Sequence, residues 1–348
     1  MAGCFSSGRL ARLRRGVLCL AAAAIVVCGF MPGAAAQSPA PVGKRSELNA
    51  MEYPWSAIGR LNAGGRGHCT GTLISERHVL TAAHCLYDFL EGRWFSPSEL
   101  HFVAGYQRDR YLIHAPALTY DHGLGFDPRA GASEANAMAD WAILTLTEPI
   151  GRQAGWLGLG RADDALLARV AAGSARLLQA GYRRGRANIM TASFDCRVLG
   201  RFHDGLGLVH DCAVQEGDSG SPLLAVVDGT VRVVGLHVIS LEAGQGAAAG
   251  VLTTAIFDPS RGSAQAATTL AGVRGAWRPG EPPAPGGPAS AVPLKTIDRL
   301  LDRLAKVGGP TREDRRAAIA AFQAWRGLAV TGTPSVALLA QLIQAEHR

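Results

Sequence analysis

The stretch Gly217-Asp218-Ser219-Gly220-Ser221-Pro222 decides the fold, and at its centre is a serine with glycines close on both sides. Glycine has no Cβ and adopts backbone angles that other residues avoid, so the stretch can form a tight turn that exposes the Ser219 hydroxyl. In such a turn the amides of Gly217 and Ser219 can point at one place and stabilise an oxyanion that develops there. Ordinary loops also contain glycine, serine and aspartate, so the turn alone does not establish a catalytic site.

Two segments upstream supply the other residue types that a nucleophilic serine requires. His84 lies in Leu80-Thr81-Ala82-Ala83-His84-Cys85, and Asp140 lies in Ala139-Asp140-Trp141-Ala142-Ile143-Leu144. A histidine can take the serine proton, and an aspartate can orient the histidine. Each residue alone has an ordinary explanation, as packing for the histidine and as a turn or cap for the aspartate. The chain order His, Asp, Ser, with an apolar run beside each motif, favours a catalytic triad.

With these three motifs the sequence resembles the chymotrypsin-like (trypsin-fold) serine proteases, specifically the bacterial branch that includes the glutamyl endopeptidases. The resemblance covers roughly residues 53–257. It implies an all-β fold of two six-stranded β-barrels with the active site in the cleft between them. It also implies that His84, Asp140 and Ser219 are catalytic and that protein or peptide is the substrate. The oxyanion hole would consist of the Gly217 and Ser219 amides.

The distribution of apolar residues between residues 53 and 257 independently favours an all-β fold. Short apolar runs recur there, bounded by glycine, asparagine or charged residues, with little helical periodicity. Such a pattern is typical of a sandwich or barrel. One short helix is expected, from Asp163 to Ala172.

His237, in Val234-Gly235-Leu236-His237-Val238, is a candidate for substrate recognition. The resemblance places it on the strand that lines the primary specificity pocket, where glutamyl endopeptidases direct a similar histidine at the acidic substrate side chain. A protonated histidine beside a carboxylate gives a charge-assisted contact. Relatives with other preferences also carry a pocket histidine, so glutamate preference is one alternative. Ala213, six residues before Ser219, argues against a trypsin-like pocket, although the spacing from Cys212 departs from the trypsin pattern. The other histidines are expected at the surface or at strand ends: His68, His78, His101, His114, His122, His203, His210 and His347.

Residues 1–36 predict a cleaved secretory signal peptide. Four arginines precede an apolar stretch from Gly16 to Phe30, and Ala34-Ala35-Ala36 forms the cleavage site. The apolar stretch is shorter than the roughly 20 residues that a membrane-spanning helix needs, so no span is expected after cleavage.

Cys69, Cys85, Cys196 and Cys212 follow the signal peptide, and an even number in an exported protein indicates two disulfides. Sequence proximity and the family resemblance favour the pairs Cys69–Cys85 and Cys196–Cys212 among the three connectivities. The chain has no Cys-x-x-Cys pair, and we predict neither a metal nor a cofactor.

Residues 37–52 are polar and predict an arm or a propeptide, with Lys44-Arg45 as a possible processing point. In the family's animal members a new amino terminus, starting Ile-Val-Gly-Gly, pairs with the acid before the serine, which is Asp218 here. No such sequence occurs near residues 40–55, so the mode of activation is left open.

The chain beyond the protease domain, predicted for residues 53–262, begins with a Pro-, Gly- and Ala-rich linker over residues 263–293. From residue 294 a helical period predicts three helices. Thr311 is the expected cap of the second helix and Gly327 its end, and Thr333-Pro334 opens the third. The inward positions are Leu294, Ile297, Leu300, Leu301 and Leu304, then Ile319, Phe322 and Trp325, then Leu338, Leu339 and Leu342.

The run from Ile319 to Gly332 resembles the peptidoglycan-binding domain found at the ends of many cell-wall enzymes. Phe322-Gln323, Gly327-Leu328 and Thr331-Gly332 carry this resemblance, whereas the aspartate and glycine usually found between the first two helices are missing. The resemblance implies that residues 294–348 bind peptidoglycan. A small three-helix bundle with another ligand or none is the alternative.

Together these patterns predict an exported serine endopeptidase, secreted or periplasmic, whose C-terminal module associates with the cell wall. A catalytically silent, protease-fold binding protein is the alternative, which the intact triad motifs disfavour. A cell-wall hydrolase would need a metal or glutamate-pair site, and the sequence has no His-Glu-x-x-His cluster. The formal charge is +7, and the four arginines before Gln37 leave +3 for the rest, which gives no indication of nucleic-acid binding.

Overall fold

The computed structural model describes residues 45–131, 133–227, 230–241, 247–257, 294–306, 314–334 and 336–345. The signal peptide predicted for residues 1–36 and the linker predicted for residues 263–293 lie outside the described residues. Within the described ranges, no helix combines the length and apolar character that crossing a membrane would require.

Strands dominate the described chain up to residue 257, and helices follow from residue 294. The strands are β1 (Arg45–Glu47), β2 (Ile58–Ala63), β3 (Gly67–Leu73), β4 (His78–Thr81), β5 (Tyr87–Asp88), β6 (Arg93–Trp94), β7 (Leu100–Ala104), β8 (Ile113–His122), β9 (Ala142–Leu146), β10 (Gly158–Leu159), β11 (Arg176–Gly181), β12 (Thr191–Cys196), β13 (Val198–Phe202), β14 (Gly207–His210), β15 (Pro222–Val227), β16 (Thr230–Leu241) and β17 (Ala247–Leu252). The α-helices are α1 (Glu134–Ala139), α2 (Gly151–Ala154), α3 (Asp164–Ala171), α4 (Thr253–Phe257), α5 (Leu294–Lys306), α6 (Arg315–Trp325) and α7 (Val336–Ala345). Short 3₁₀ turns occur at Trp55–Ala57, Ala83–Leu86, Pro97–Glu99 and Arg184–Arg186.

Six antiparallel strands close a barrel in the order β2-β3-β4-β9-β8-β7, as the sequence predicts for the first barrel. The fully buried ring of Phe102 lies inside it. Gly59 on β2 provides the space, because a Cβ there would come within 2.3 Å of the Phe102 ring. The barrel thus interdigitates one large side chain with a residue that has none, as close-packed interiors do.

The remaining strands up to residue 257 form a nine-stranded sheet, where the resemblance implies a second six-stranded barrel. Its main path runs β1-β12-β11-β15-β16-β17-β14-β13, and β10 pairs with β16 in parallel. The outermost strand β1 belongs to the segment predicted as an arm or propeptide, and Arg45 there lies opposite Ser193 on β12. The all-β prediction is confirmed. The strand number differs because β1 extends the sheet at one end, β13 extends it at the other, and β10 adds to it from the side.

The short helix predicted from Asp163 to Ala172 is confirmed as α3. The Asp163 side chain accepts a hydrogen bond of 2.9 Å from the Leu166 amide, which is the contact that an N-cap aspartate makes.

The three predicted C-terminal helices are present, with differences in their ends and exposed faces. Asp314 caps α6 by accepting from the Ala317 amide, so the predicted cap Thr311, which lies outside the described residues, does not start this helix. Trp325 is 54% exposed, so its predicted inward position is wrong. It stands in the last turn, where the helix leaves the core. Predicted inward side chains that are buried as expected are Ile297, Leu300, Leu301, Leu304, Ile319, Phe322, Leu338, Leu339 and Leu342.

Gln323 connects the Phe-Gln pair of α6 to the Thr-Gly pair of the loop that follows. Its buried side chain donates to Thr331 Oγ1 at 2.9 Å and accepts from the amides of Thr331 and Gly332 at 2.8 and 2.9 Å. These bonds fix the loop between α6 and α7, while Phe322 is buried on the same helix. The residues that carry the resemblance therefore build the fold of the module.

The helices pack on the protease region through α5 and α7. Arg299 of α5 donates to the Glu47 carbonyl, and Arg303 donates to Ser46 Oγ, so both bonds reach strand β1. The buried leucines of α5 belong to one continuous hydrophobic cluster with the barrel core.

Candidate active site

His84 and Asp140 form a pair at one end of the barrel. His84 lies in the 3₁₀ turn after β4, and Asp140 follows α1 directly before Trp141 and β9. Asp140 Oδ2 is 2.7 Å from His84 Nδ1, and Asp140 Oδ1 accepts from the His84 amide at 2.9 Å. One carboxylate thus fixes both the backbone and the ring of the histidine. With the proton on Nδ1 toward the carboxylate, Nε2 remains a proton acceptor.

The turn that carries Ser219 has the backbone that the sequence predicts. Gly217 and Gly220 have φ of +92° and +76°, values that side chains disfavour. A Cβ on Gly217 would lie 2.5 Å from the Tyr182 carbonyl oxygen, so both conformation and space require glycine there.

The backbone amides of this turn divide into committed and uncommitted donors. The Asp218 amide donates to the Gln215 carbonyl at 2.9 Å, and the Gly220 amide donates to the His237 carbonyl at 2.8 Å. In the described part of the chain, the amides of Gly217 and Ser219 have no acceptor. These two donors are the ones predicted to form an oxyanion hole.

Thr70, on β3 of the barrel, ties the turn to the histidine side of the site. Its amide donates to the Ser219 carbonyl at 2.9 Å, and its hydroxyl donates to the Gly217 carbonyl, also at 2.9 Å. The Tyr182 amide in turn donates to Thr70 Oγ1 at 3.0 Å. Sequence reasoning missed Thr70, because a threonine inside a strand carries no signal of a contact with a distant turn.

The Ser219 turn approaches the segment that carries His84 through Cys85, and no hydrogen bond joins the Ser219 and His84 side chains within the described residues. The Ser219 carbonyl oxygen is 3.8 Å from the sulfur of Cys85, the residue after His84. Across the described residues, no hydrogen bond joins Ser219 Oγ to the His84 ring. Catalytic hydrogen bonds often form or tighten only when a substrate binds, so the absence of this bond does not argue against a nucleophile and its base.

Both predicted disulfides are present, Cys69–Cys85 and Cys196–Cys212. The first joins β3 to the turn that carries His84. Within the described ranges, Cys69, His84 and Cys85 are the group that could coordinate a metal. Both sulfurs are in the disulfide, so they offer no thiolate ligand.

The family model for trypsin matches residues 42–257, which is more than half of the chain and contains all of these site residues. The chain belongs to the trypsin family.

Relatives of this trypsin-family chain include animal and bacterial proteins. Serine protease 23 of Mus musculus is 26% identical over 189 residues, which are 49% of this chain and 45% of the mouse protein. The glutamyl endopeptidase of Bacillus licheniformis is 29% identical over 119 residues, 34% of this chain and 35% of that protein. The matches thus span less than half the length of these relatives. A solved structure titled "Structure of Glu endopeptidase in complex with MPD" aligns at 19% identity with a TM-score of 0.49, covering 64% of this chain and 96% of that one.

Asp218, beside the predicted nucleophile of this trypsin-family site, is fully buried and faces a buried arginine. Asp218 Oδ1 is 3.1 Å from Arg45 Nη2, and its other oxygen accepts from the Gln215 amide at 3.0 Å. Burial raises the pKa of Asp218 and lowers the pKa of Arg45, and each charge opposes the effect on the other. Arginine stays protonated in proteins, so Asp218 has a permanent counter-charge.

His210 and His237 form a second buried pair, with ring centroids 5.7 Å apart and 0% and 2% exposure. His210 ends β14, which meets the expectation of a surface or strand-end position, and its ring is buried. Burial lowers the pKa of His210 to about 4 and the pKa of His237 well below its ordinary value. Both rings are therefore neutral at pH 7, whereas the sequence argument for His237 uses a protonated ring.

The polar atoms of this pair are partly uncommitted. His210 Nδ1 accepts from the Cys212 amide at 3.3 Å, and His237 bonds the Ala249 backbone. Their other ring nitrogens, His210 Nε2 and His237 Nδ1, are buried and have no partner among the described residues. Unpaired buried nitrogens are uncommon in folded proteins and often indicate a ligand or water that fills the site.

A cavity of about 220 Å³ adjoins His84 and Asp140. Phe126 and Pro128 line one part of it, and Val238 of β16 lines another. Val238 directly follows His237 on β16, so the cavity and the histidine pair adjoin the same strand, while both histidine rings are buried.

The buried histidines predict acid sensitivity of the fold. The pKa of His210 is about 4 in the folded chain, compared with about 6.5 for an ordinary histidine in the unfolded chain. Protonation of His210 therefore stabilises the unfolded chain relative to the folded one. Stability is therefore lost as the pH falls from about 6.5 toward 4. For His210 alone the loss between pH 7 and pH 5 is about 2 kcal/mol. We expect His210→Gln to remove about that much of the pH dependence measured by urea unfolding.

The exposed His114 provides the control, because His114→Gln should leave the pH dependence of unfolding unchanged. Equal slopes in the wild-type and His210→Gln proteins would contradict the neutral buried assignment.

Proposed function

We propose that this chain is a serine endopeptidase that hydrolyses peptide bonds through His84, Asp140 and Ser219. The observation that carries the proposal is the His84–Asp140 pair next to a turn with two uncommitted amides. These features would supply a histidine base oriented by a carboxylate, a serine hydroxyl on the turn and donors for a developing negative charge. Those are the parts that acyl transfer through a serine requires.

In the proposed mechanism, Ser219 Oγ attacks the carbonyl carbon of the scissile peptide bond while His84 Nε2 takes the hydroxyl proton. Asp140 keeps the ring oriented and stabilises the imidazolium that forms. The amides of Gly217 and Ser219 donate to the carbonyl oxygen as it becomes negative. His84 then gives its proton to the leaving amine. In the second half of the reaction, a water molecule attacks the acyl-enzyme while His84 takes its proton, and His84 returns that proton to Ser219 as the acyl group leaves.

Replacing the nucleophile tests this mechanism directly. We expect Ser219→Ala to lower casein hydrolysis by more than about 10⁴-fold and to abolish labelling by a fluorophosphonate. The fold should persist, since the Ser219 bond to Thr70 uses the backbone. Turnover is measured on the purified proteins, with unfolding curves to check the fold.

A matched control is Ser98→Ala, which removes an exposed hydroxyl from the same chain and should leave turnover unchanged. Normal turnover by Ser219→Ala would reject the assignment. A wild-type chain that neither hydrolyses casein nor labels would favour the catalytically silent binding protein.

We also propose a preference for glutamate before the cleaved bond. The uncommitted His237 Nδ1 can receive a proton and bind an acidic side chain, because an incoming carboxylate favours the charged ring. His210 beside it offers a second unpartnered nitrogen. The B. licheniformis relative bears the name glutamyl endopeptidase, which agrees with this proposal.

A peptide-library cleavage profile tests the preference. We expect enrichment of glutamate before the cut, and His237→Val should lower kcat/KM for glutamate peptides by about 10-fold or more, the effect of losing one charge-assisted contact. Cleavage at apolar residues should change little. His114→Gln serves as the surface control. Enrichment of arginine or lysine before the cut would exclude the preference.

The compartment and the C-terminal module complete the proposal. The two disulfides support a secreted or periplasmic protein, because such bonds persist in oxidising compartments. We infer that the helices from residue 294 onward bind peptidoglycan and hold the enzyme at the cell wall. Trp325, half-exposed with the Arg326 guanidinium near its ring, gives this module an exposed aromatic surface for sugar rings.

Co-sedimentation with purified peptidoglycan tests the module. We expect the full chain to sediment, and Trp325→Ser to reduce the bound fraction severalfold, because an exposed aromatic face supplies much of such contact area. Exposed Val330→Ser is the matched control for loss of apolar surface. A full chain that stays in the supernatant would leave the small three-helix bundle without this ligand, whatever its protease activity.

A further inference from the structure

Arg45 is buried deep in the protease region although it belongs to a polar segment near the start of the described chain. Its side chain is 2% exposed. The guanidinium donates to Thr191 Oγ1 at 2.8 Å and to the Thr191 carbonyl at 2.6 Å. It also donates to Gln179 Oε1 at 2.5 Å, to the Ala213 carbonyl at 2.6 Å and to Asp218 Oδ1 at 3.1 Å. Every nitrogen of the group has an acceptor, which a buried charge requires.

The five acceptors surround the Arg45 guanidinium and one of them belongs to Asp218, so the guanidinium and the carboxylate share one polar network. Gln179 donates to Asp218 Oδ1 at 3.1 Å while accepting from Arg45. Gly181 packs directly against the carboxylate, because a Cβ there would lie 2.7 Å from Asp218 Oδ1. Asp218 therefore has one position, set by charge on one side and packing on the other.

The position of Asp218 determines the two peptide planes that flank it. Its carboxylate accepts from the Gln215 amide, its own amide donates to the Gln215 carbonyl, and its carbonyl accepts from the Ser221 amide. The Ser219 amide shares a plane with the Asp218 carbonyl, and the Gly217 amide lies one peptide earlier, attached to the Glu216 carbonyl, which accepts from the Arg184 amide. Neither amide has an acceptor among the described residues. Moving Asp218 would rotate the Ser219 amide directly, and it would displace the Gly217 amide through the backbone torsions of Gly217.

Strand β1 holds Arg45 in place from two sides. On one side it pairs with β12, Ser46 opposite Ala192. On the other side α5 binds it, because Arg303 donates to Ser46 Oγ and Arg299 donates to the Glu47 carbonyl. The cation that faces Asp218 is thus a side chain of a strand that is bonded on both sides.

We propose that Arg45 is a positioning residue, an internal cation on β1 that acts through Asp218 to hold the Gly217 and Ser219 amides in place for the oxyanion. This inference rests on the proposed serine endopeptidase function. It follows that the active turn forms without a newly created amino terminus. Cleavage before Arg45 leaves the device intact, whereas cleavage after Arg45 separates the cation from β1.

Kinetics of neutral substitutions in the full chain test the proposal, using a fluorogenic peptide from the wild-type cleavage profile. Arg45→Met leaves a buried aspartate without its counter-charge, so a second variant, Arg45→Met with Asp218→Asn, removes both charges and relieves that strain on folding. We expect both variants to lose about 100-fold or more in kcat, the effect of a displaced oxyanion donor, with KM changed less than about threefold. Arg45→Lys, which keeps the charge, should recover part of the lost kcat.

The matched control is Arg186→Met. Arg186 is an exposed arginine that pairs with Glu47, which lies on β1 as Arg45 does, and its loss should leave kcat within about twofold. A folded double variant with wild-type kcat would overturn the proposal, since the pair would then be only structural. Failure of both neutral variants to fold would overturn it likewise, by showing that the pair supports the whole sheet. A wild-type chain without turnover would instead reject the proposed function.

Discussion

The two hydrogen bonds from Thr70 to the Ser219 turn are the constraint on which the site depends. They join a strand of the closed barrel to two carbonyls of the turn, Gly217 and Ser219, in the other sheet. Because a peptide group is planar, fixing a carbonyl also fixes the amide attached to it. The turn is therefore positioned relative to the barrel that carries His84 and Asp140. A change in the packing of the two sheets would move these carbonyls relative to the barrel.

Sequence reasoning predicted the parts of this arrangement that short motifs encode. His84 and Asp140 each stand next to an apolar strand, and chain order alone suggested that they meet; the structure joins them by a 2.7 Å bond. The pairing Cys69–Cys85 was predicted from a separation of 16 residues and the family resemblance. The buried faces of the C-terminal helices followed from their period, because burial of an amphipathic helix is read from i, i+3 and i+4 positions.

The parts that the sequence did not reveal depend on contacts between distant residues. Arg45 and Asp218 are 173 positions apart, and an arginine in a polar segment gives no sign that it will be buried. His210 lies in a short strand whose neighbours decide its exposure. The second sheet gained β1 for the same reason, since an edge strand of three residues has no pattern of its own. Trp325 is a residue for which the sequence pattern was misleading. The helical period predicts an inward position for it, but the period predicts burial only where the helix lies against the core.

The strand that carries Arg45 also connects the two ends of the described chain. Arg299 and Arg303 of α5 bind β1, and β1 places Arg45 against Asp218. Helix α5 is therefore connected to the Ser219 turn through β1 and the Arg45–Asp218 pair. A two-sided strand of this kind has lower freedom than an edge strand that faces water, so the helices contribute to holding the cation where Asp218 needs it. In this arrangement the helical module that we propose as a cell-wall anchor also supports the Ser219 turn, because two arginines of its first helix bond to the strand that carries Arg45.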